Sequence, residues 1–164
     1  MMKIVLLSDT HSALDERITK YLEQVDEIWH AGDIGDMRVA ETLEQHAPLM
    51  AVYGNIDHGT LKSKYPEFLW FERAGCRILM THIAGRPGRY SKPLLEELKR
   101  REAPDMIVCG HSHILLVKKD PRFNALWLNP GACGNQGFHQ TKTMLRFDIE
   151  NGMPKNMEVI EWKR

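Results

Sequence analysis

Hydrophobic and polar positions alternate along this chain in two distinct rhythms. "KIVLLSD" is a compact apolar, partly β-branched run closed by a polar pair, which predicts a buried strand. "ALDERITKYLEQV" spaces its apolar residues at 14, 18, 22 and 25, which predicts a helix. "DEIWHAGD" reads as a second strand running into a loop. "MRVAETLEQHA" is helical again, with Val39, Leu43 and Ala47 on one face, and "PLMAVYGNID" is a third strand ending in a Gly-Asn turn. This βαβαβ order predicts parallel strands covered by helices.

The rhythm then changes. "EFLWFERAGCRILMTH" predicts two strands about an Ala-Gly turn. "SKPLLEELKRREAPD" predicts a helix, with Ser91 as N-cap, Pro93 in the first turn and Pro104 as its stop. Only strands follow: "MIVCG", "ILLVKKD", "ALWLNPG", "TKTMLRFDIENG" and "NMEVIEWK", with Pro121, Asn151-Gly152 and Pro154 at turns between them. No repeat, low-complexity stretch or linker interrupts the pattern. It predicts one domain over residues 1–164, an α/β chain of two packed sheets with helices outside.

Composition narrows the partners. Hydrophobic residues make up 43% of the 164 residues, enough for a core. Lys+Arg and Asp+Glu balance at 22 each, so the chain has no built-in field for a polyanion. No stable nucleic-acid complex is expected, whereas a small phosphate-bearing substrate at a local cationic site fits. The three cysteines, Cys76, Cys109 and Cys133, have no CxxC spacing and read as reduced, buried thiols. The apolar start is too short for a signal peptide, and no stretch would span a bilayer. A cytoplasmic protein without a membrane partner is the expectation.

The predicted strands finish in similar chemistry. Their ends read Ser8-Asp9-Thr10-His11, His30-Ala31-Gly32-Asp33-Ile34-Gly35-Asp36, Gly54-Asn55-Ile56-Asp57-His58, Thr81-His82 and Gly110-His111-Ser112-His113. Ligands in open α/β sheets bind just beyond the carboxyl ends of strands, so these side chains can converge. Carboxylates, imidazoles and an amide oxygen suit borderline divalent ions. Asp9 and His11 are two residues apart, as are His111 and His113, and each pair can approach one centre. The glycines at 32, 54 and 110 permit tight turns and close backbone approach.

Each piece alone has a plainer reading. Asp-x-His is more often a turn than a site, Gly-Asn-x-Asp is usually a loop, and a histidine after a strand is often only hydrogen-bonded. What chance turns do not explain is the restriction of these strand ends to Asp, Asn and His.

The ordered blocks "DTH", "GDIGD", "GNID", "TH" and "GHSH" resemble the signature of the calcineurin-like metallophosphoesterase superfamily, across residues 9–113. "NPGA" at 129–132 resembles its small bacterial and archaeal phosphodiesterase branch. The resemblance implies a four-layer α/β/β/α sandwich of two mixed β-sheets flanked by helices, and a two-metal site. Carried over by position, Asp9, His11 and His113 would bind one ion and Asn55, His82 and His111 the other, with Asp33 bridging. Manganese is the expected metal, with nickel, zinc, iron or magnesium as alternatives.

Three positions depart from the pattern. Ile56 stands where larger relatives have the histidine assigned to protonating the leaving group, a residue that the small branch also commonly lacks. Met37 replaces an arginine, and Thr81 replaces the glycine before the lone histidine. His58 is the nearest substitute for the missing acid, although an exposed loop histidine is the plainer reading. His30, His46 and His139 read as ordinary histidines. Asn129 and the backbone near Gly131 are candidates to position substrate or support the site. Arg86, Arg89 and Lys92, with the cations of "KSKYP", are loop charges that read more simply as solvated surface. The aromatic cluster of "PEFLW" and Phe71 reads as core or a subunit contact, so a dimer or tetramer is compatible.

The implied activity is hydrolysis of small phosphate diesters by a hydroxide bridging two divalent ions, with the metals clamping the phosphoryl group. The alternatives are a phosphomonoesterase or nucleotide phosphatase of the same fold, and a non-catalytic scaffold resembling the retromer subunit.

Overall fold

The computed structural model describes all of residues 1–164. Its first sheet has the order β12-β11-β1-β2-β3. Here β1 is Met2–Leu7, β2 Glu27–His30, β3 Leu49–Ala51, β11 Thr141–Glu150 and β12 Met153–Lys163. β1, β2 and β3 run parallel, and the β11–β12 hairpin closes the other side antiparallel to β1. The second sheet has the order β4-β5-β8-β10-β9. Its strands are β4 Phe68–Arg73, β5 Cys76–Thr81, β8 Met106–Val108, β9 Leu115–Lys119 and β10 Leu126–Pro130. β5, β8 and β10 are parallel at its centre, and β4 and β9 are antiparallel edges.

Period-two alternation builds the layers. Ile4 and Leu6 of β1 meet Ile78 and Met80 of β5, Met106 and Val108 of β8, and Leu128 of β10 between the sheets. Val5 and Leu7 face the other way, onto the helices α1 (Thr19–Leu22), α2 (Met37–Glu44) and α3 (Thr60–Lys64), through Leu22, Val39, Leu43 and Leu61. On the far side Leu79, Ile107 and Trp127 pack against Leu94 and Leu98 of α4 (Lys92–Leu98). The central strands are covered on both faces, so they read as continuous apolar runs instead of alternating ones. The result is the expected α/β/β/α order.

Local differences from the sequence reading have identifiable causes. The helix expected over 13–25 is only a 3₁₀ turn at Glu16–Ile18 followed by α1. Ser12 and Ala13 are held by backbone bonds to the Ile34 and Thr10 carbonyls, and Asp15 starts the helix late by accepting from the Arg17 N–H. Leu14, Ile18, Leu22 and Val25 nonetheless share one core. The helix capped by Ser91 ends at Leu98, well before Pro104. The short helix α3 and the two-residue strands β6 (Gly85–Arg86) and β7 (Arg89–Tyr90) lie in segments read as loop. None of the helices is long and apolar enough to cross a membrane.

Candidate metal centre

The predicted strand ends do converge. Asp9 and His11 follow β1, Asp33 follows β2, His82 follows β5, and His111 and His113 follow β8. They form two groups whose ligand atoms lie within 4.8 Å of one another: Asp9, His11 and His113, and Asp33, His82 and His111. The groups adjoin. His11 Nε2 is 3.5 Å from Asp33 Oδ2, and His82 Nε2 is 3.3 Å from the same oxygen. One carboxylate oxygen therefore faces both groups. Asp9 Oδ1 is 3.1 Å from His113 Nε2 and 3.9 Å from both His11 and His82.

The backbone reaches this arrangement through an uncommon conformation. Asp9, His11, Asp33, His111 and His113 all have φ between 46° and 69°. Non-glycine residues in that region cost about 1–3 kcal/mol each and persist only where surroundings hold them, typically at functional sites. Those surroundings are visible. The Asp9 N–H donates to the Gly32 carbonyl, and the His11 N–H to the Asp33 carbonyl. Asp57, buried behind the site, accepts from the backbone N–H groups of Ile34, Gly35 and Gly54 and so ties the β3 loop to the Asp33 loop. Fully buried His30 accepts from the Gly32 N–H at Nδ1. Its Nε2–H therefore donates to Thr10, whose hydroxyl donates to the Ile34 carbonyl.

Two glycines are needed for close approach. A Cβ on Gly54 would lie 2.1 Å from Asp33 Oδ1, and one on Gly110 2.1 Å from the Ser8 hydroxyl and 2.8 Å from Asp9 Oδ2. Each thus packs against a site residue from another strand.

Hydrogen bonds fix which ligand atoms remain free. Asp9 Oδ2 accepts from the Ser8 hydroxyl and the His111 N–H, which leaves Oδ1 for the site. Asp33 Oδ1 accepts from the Ile56 N–H, which leaves Oδ2. His82 Nδ1 lies 2.7 Å from the Ala31 carbonyl; it donates there, so Nε2 keeps its lone pair. The leftover atoms Asp9 Oδ1, His11 Nε2 and His82 Nε2 are buried with no hydrogen-bond partner. Buried polar atoms are rarely left so, and three around one point suit a cation. A donor set of two carboxylates and four imidazoles matches borderline divalent ions.

Electrostatics agree. Burial works against the charge on Asp9 and on Asp33. It is outweighed by His113, His82 and Ser8 at Asp9, and by His82, the Ile56 N–H and His11 at Asp33, so both carboxyls lie below their usual range. Burial also opposes protonation of His82, but Asp33 and Asp9 raise it. His113 is raised by its contact with Asp9. His111 is lowered by burial and by His82.

The remaining candidates separate. Asn55 is exposed on the turn beside Ile56, and its side chain makes no hydrogen bond within the chain. His58 is exposed and makes no hydrogen bond, ion pair or ring contact with the cluster. Asn129 is only 3% exposed; its amide donates to the Gly110 carbonyl and the Ser112 hydroxyl, and its oxygen accepts from the Gly131 N–H. Its polar capacity goes into bracing the GHSH turn. Gly131, with φ at 75°, is the backbone partner of that brace.

Three residues outside the sequence expectation join the site's surroundings. Ser8 and Asp57 act as just described. His139, read as ordinary, places its ring 5.3 Å from that of His113 and bonds through Nε2 to the Gly134 carbonyl. Gly134 in turn donates to the Asp9 carbonyl. The only available signal was the run of turn-forming residues between Gly131 and Gly137, which carries no metal-site spacing of its own.

Known proteins resemble this chain in sequence and in fold. A probable metallophosphoesterase of Methanocaldococcus jannaschii is 29% identical over 136 residues, covering 80% of this chain and 68% of that protein. An archaeal phosphodiesterase of known structure superposes with a TM-score of 0.77 at 25% identity, over 98% of this chain and all of the other. Vps29 from Entamoeba histolytica, solved with zinc, shares the fold with a TM-score of 0.74 at 15% identity, covering 99% of each chain. The family model of the calcineurin-like phosphoesterase superfamily domain matches residues 2–152, the span that holds every strand but β12 and every residue of the two clusters. With fold, strand-end chemistry and family model in agreement, this chain belongs to the calcineurin-like phosphoesterase superfamily.

Proposed function

We propose that the chain is a metal-dependent phosphodiesterase acting on small phosphate diesters. The observation that carries this reading is the set of three buried, unpartnered ligand atoms, Asp9 Oδ1, His11 Nε2 and His82 Nε2, within two adjoining groups of metal-ligand type. The similar archaeal phosphodiesterase supports the diester preference.

In this reading Asp9, His11 and His113 would hold one divalent ion, His82 and His111 with Asn55 would hold the second, and Asp33, which faces both groups, would serve both. Such ions supply Lewis acidity and lower the pKa of water, which is the chemistry that diester hydrolysis needs. The protein's own residues set the rest. Two carboxylates against two divalent ions would leave the site net positive, so it would attract a phosphate diester although the chain is neutral. The Ala31 carbonyl holds His82 in the tautomer that presents Nε2. The Ile56 N–H keeps Asp33 Oδ1 occupied and Oδ2 turned inward.

The Ile56 side chain cannot deliver a proton to the leaving group, and His58 has no hydrogen bond that aims it at the cluster. Solvent water is then the proton source, and aryl diesters, whose leaving groups need little protonation, are the better substrates. Manganese is the first metal to test, and the cytoplasm is the proposed compartment.

The test is hydrolysis of bis(p-nitrophenyl) phosphate beside p-nitrophenyl phosphate, in metal-stripped protein supplied with Mn, Ni, Zn, Fe or Mg. Faster turnover of the diester supports the proposal. Faster turnover of the monoester would move the assignment to a phosphomonoesterase. No turnover together with no metal binding would leave the scaffold reading.

A further inference from the structure

A second feature lies beside the candidate metal centre. A cleft of ≈ 900 Å³ runs from the GHSH turn, where Ser112 lines it, along the outer face of the second sheet. This volume is in the range of small-molecule sites. Its floor follows from strand register. Leu116 and Lys118 of β9 point to the same face as the exposed Ile114 just before the strand, and Lys118 pairs across the ladder with the fully buried Trp127 of β10, so Ile114 and Leu116 form the accessible apolar floor. The opposite wall is the β6–β7 hairpin, which carries Arg86 and Arg89.

The wall is anchored. The Tyr90 hydroxyl donates to the buried Asp120 carboxylate after β9, and its ring packs against Phe123 and Trp127. Ser91 bonds the Ala84 carbonyl through its N–H and the Ile83 carbonyl through its hydroxyl, which closes the base of the hairpin. Arg86, Arg89 and Lys118 form no ion pair within the chain, although most of the chain's other arginines do. Three unpaired cations thus surround an apolar floor in a protein of zero net charge. A purely solvated surface gives no reason for that concentration beside a site for phosphate esters.

We infer that this cleft binds the non-reacting part of the substrate, and that this part has an apolar or ring-shaped body ending in a second anionic group. The scissile phosphate lies at the metal centre, the body lies over Ile114 and Leu116, and the distal anion meets Arg86, Arg89 and Lys118. Remote binding of this kind raises kcat/KM and sets specificity. The inference rests on the diesterase reading for its substrate, but the cleft can be tested separately.

Two chromogenic diesters make the comparison: thymidine 5′-(p-nitrophenyl phosphate), and the same compound bearing a 3′-phosphate. For the wild type, kcat/KM is expected to be at least about tenfold higher for the 3′-phosphorylated compound, equivalent to about 1.4 kcal/mol. In the triple variant Arg86→Ser, Arg89→Ser, Lys118→Ser, the ratio should fall to near one. Equal kcat/KM for the two substrates in the wild type, or a ratio that survives the triple substitution, overturns the inference. Should neither diester be hydrolysed, the diesterase reading fails, and calorimetry on metal-free protein decides the cleft. There, thymidine 3′,5′-bisphosphate should bind the wild type at least tenfold tighter than thymidine does and lose that advantage in the triple variant. Equal binding of thymidine and its 3′,5′-bisphosphate overturns the inference.

Discussion

His82 and Asp33 meet across the seam between the two sheets, with Nε2 of one 3.3 Å from Oδ2 of the other. His82 follows β5 in the second sheet and Asp33 follows β2 in the first. Neither sheet alone makes the site, so its geometry reports on how the sheets dock. Either residue removed should break the proposed shared metal position without touching the core between the sheets. Asp33→Asn and His82→Ala are each expected to lower kcat by at least about 100-fold. Thermal unfolding of the metal-free variants should remain cooperative. Activity within threefold of wild type would show that this pair is not central.

Gly54 is a steric test of the same carboxylate. A Cβ there would fall 2.1 Å from Asp33 Oδ1, closer than non-bonded heavy atoms can sit, so Gly54→Ala must push Asp33 or the β3 loop away. Metal affinity measured by calorimetry should drop by at least about tenfold, with little loss of secondary structure. Unchanged affinity would mean that Asp33 does not hold the metal.

Asp57 braces the site without lying in it. Asp57→Ala strips the acceptor from three backbone N–H groups at Ile34, Gly35 and Gly54, in a place water reaches poorly. Leaving such donors unpaired costs about 1–3 kcal/mol apiece, partly recovered by relaxation, so a loss of about 3 kcal/mol in urea unfolding is expected. A loss below 1 kcal/mol would contradict the bracing role.

Much of this site was legible in the sequence, and the reason is topological. Parallel strands deliver their carboxyl ends to one edge, so Asp9, Asp33, His82 and the GHSH pair had only one place to meet. Two packed sheets with helices outside were legible in the element order, and the four-layer arrangement followed from the family resemblance. What escaped depends on contacts between distant segments. The helix expected at 13–25 is cut short by bonds from Ser12 and Ala13 to loop carbonyls, which no periodicity records. His139 reaches His113 only because the chain after Gly131 folds back over the Asp9 backbone. Asp57 looked like part of a turn, yet two of its three partners are more than twenty residues away. Asn129 was read as near the site, and its bracing of the GHSH turn needed the pairing of β10 with β9 to become visible.

His30 makes a pH-dependent contribution of definite sign. Burial pushes its pKa down from 6.5 to about 4. Between those values the unfolded chain carries the extra proton and the native chain does not. The stability that His30 permits is therefore full above about pH 6.5 and declines as pH falls towards 4, by about 3 kcal/mol in total. NMR of the His30 ring should find it neutral at pH 5.5, with the Nε2–H tautomer retained. Titration near pH 6.5 would contradict the buried network with Thr10 and Gly32.

Where metal binds is the most direct test of the centre. Crystals grown with Mn²⁺ and measured at the manganese absorption edge should give two anomalous peaks per chain. One is predicted against Asp9, His11 and His113, and the other against Asp33, His82 and His111, with Asp33 touching both. No peak at these residues, or a single peak that leaves one of the two groups empty at saturating Mn²⁺, would contradict the two-metal centre.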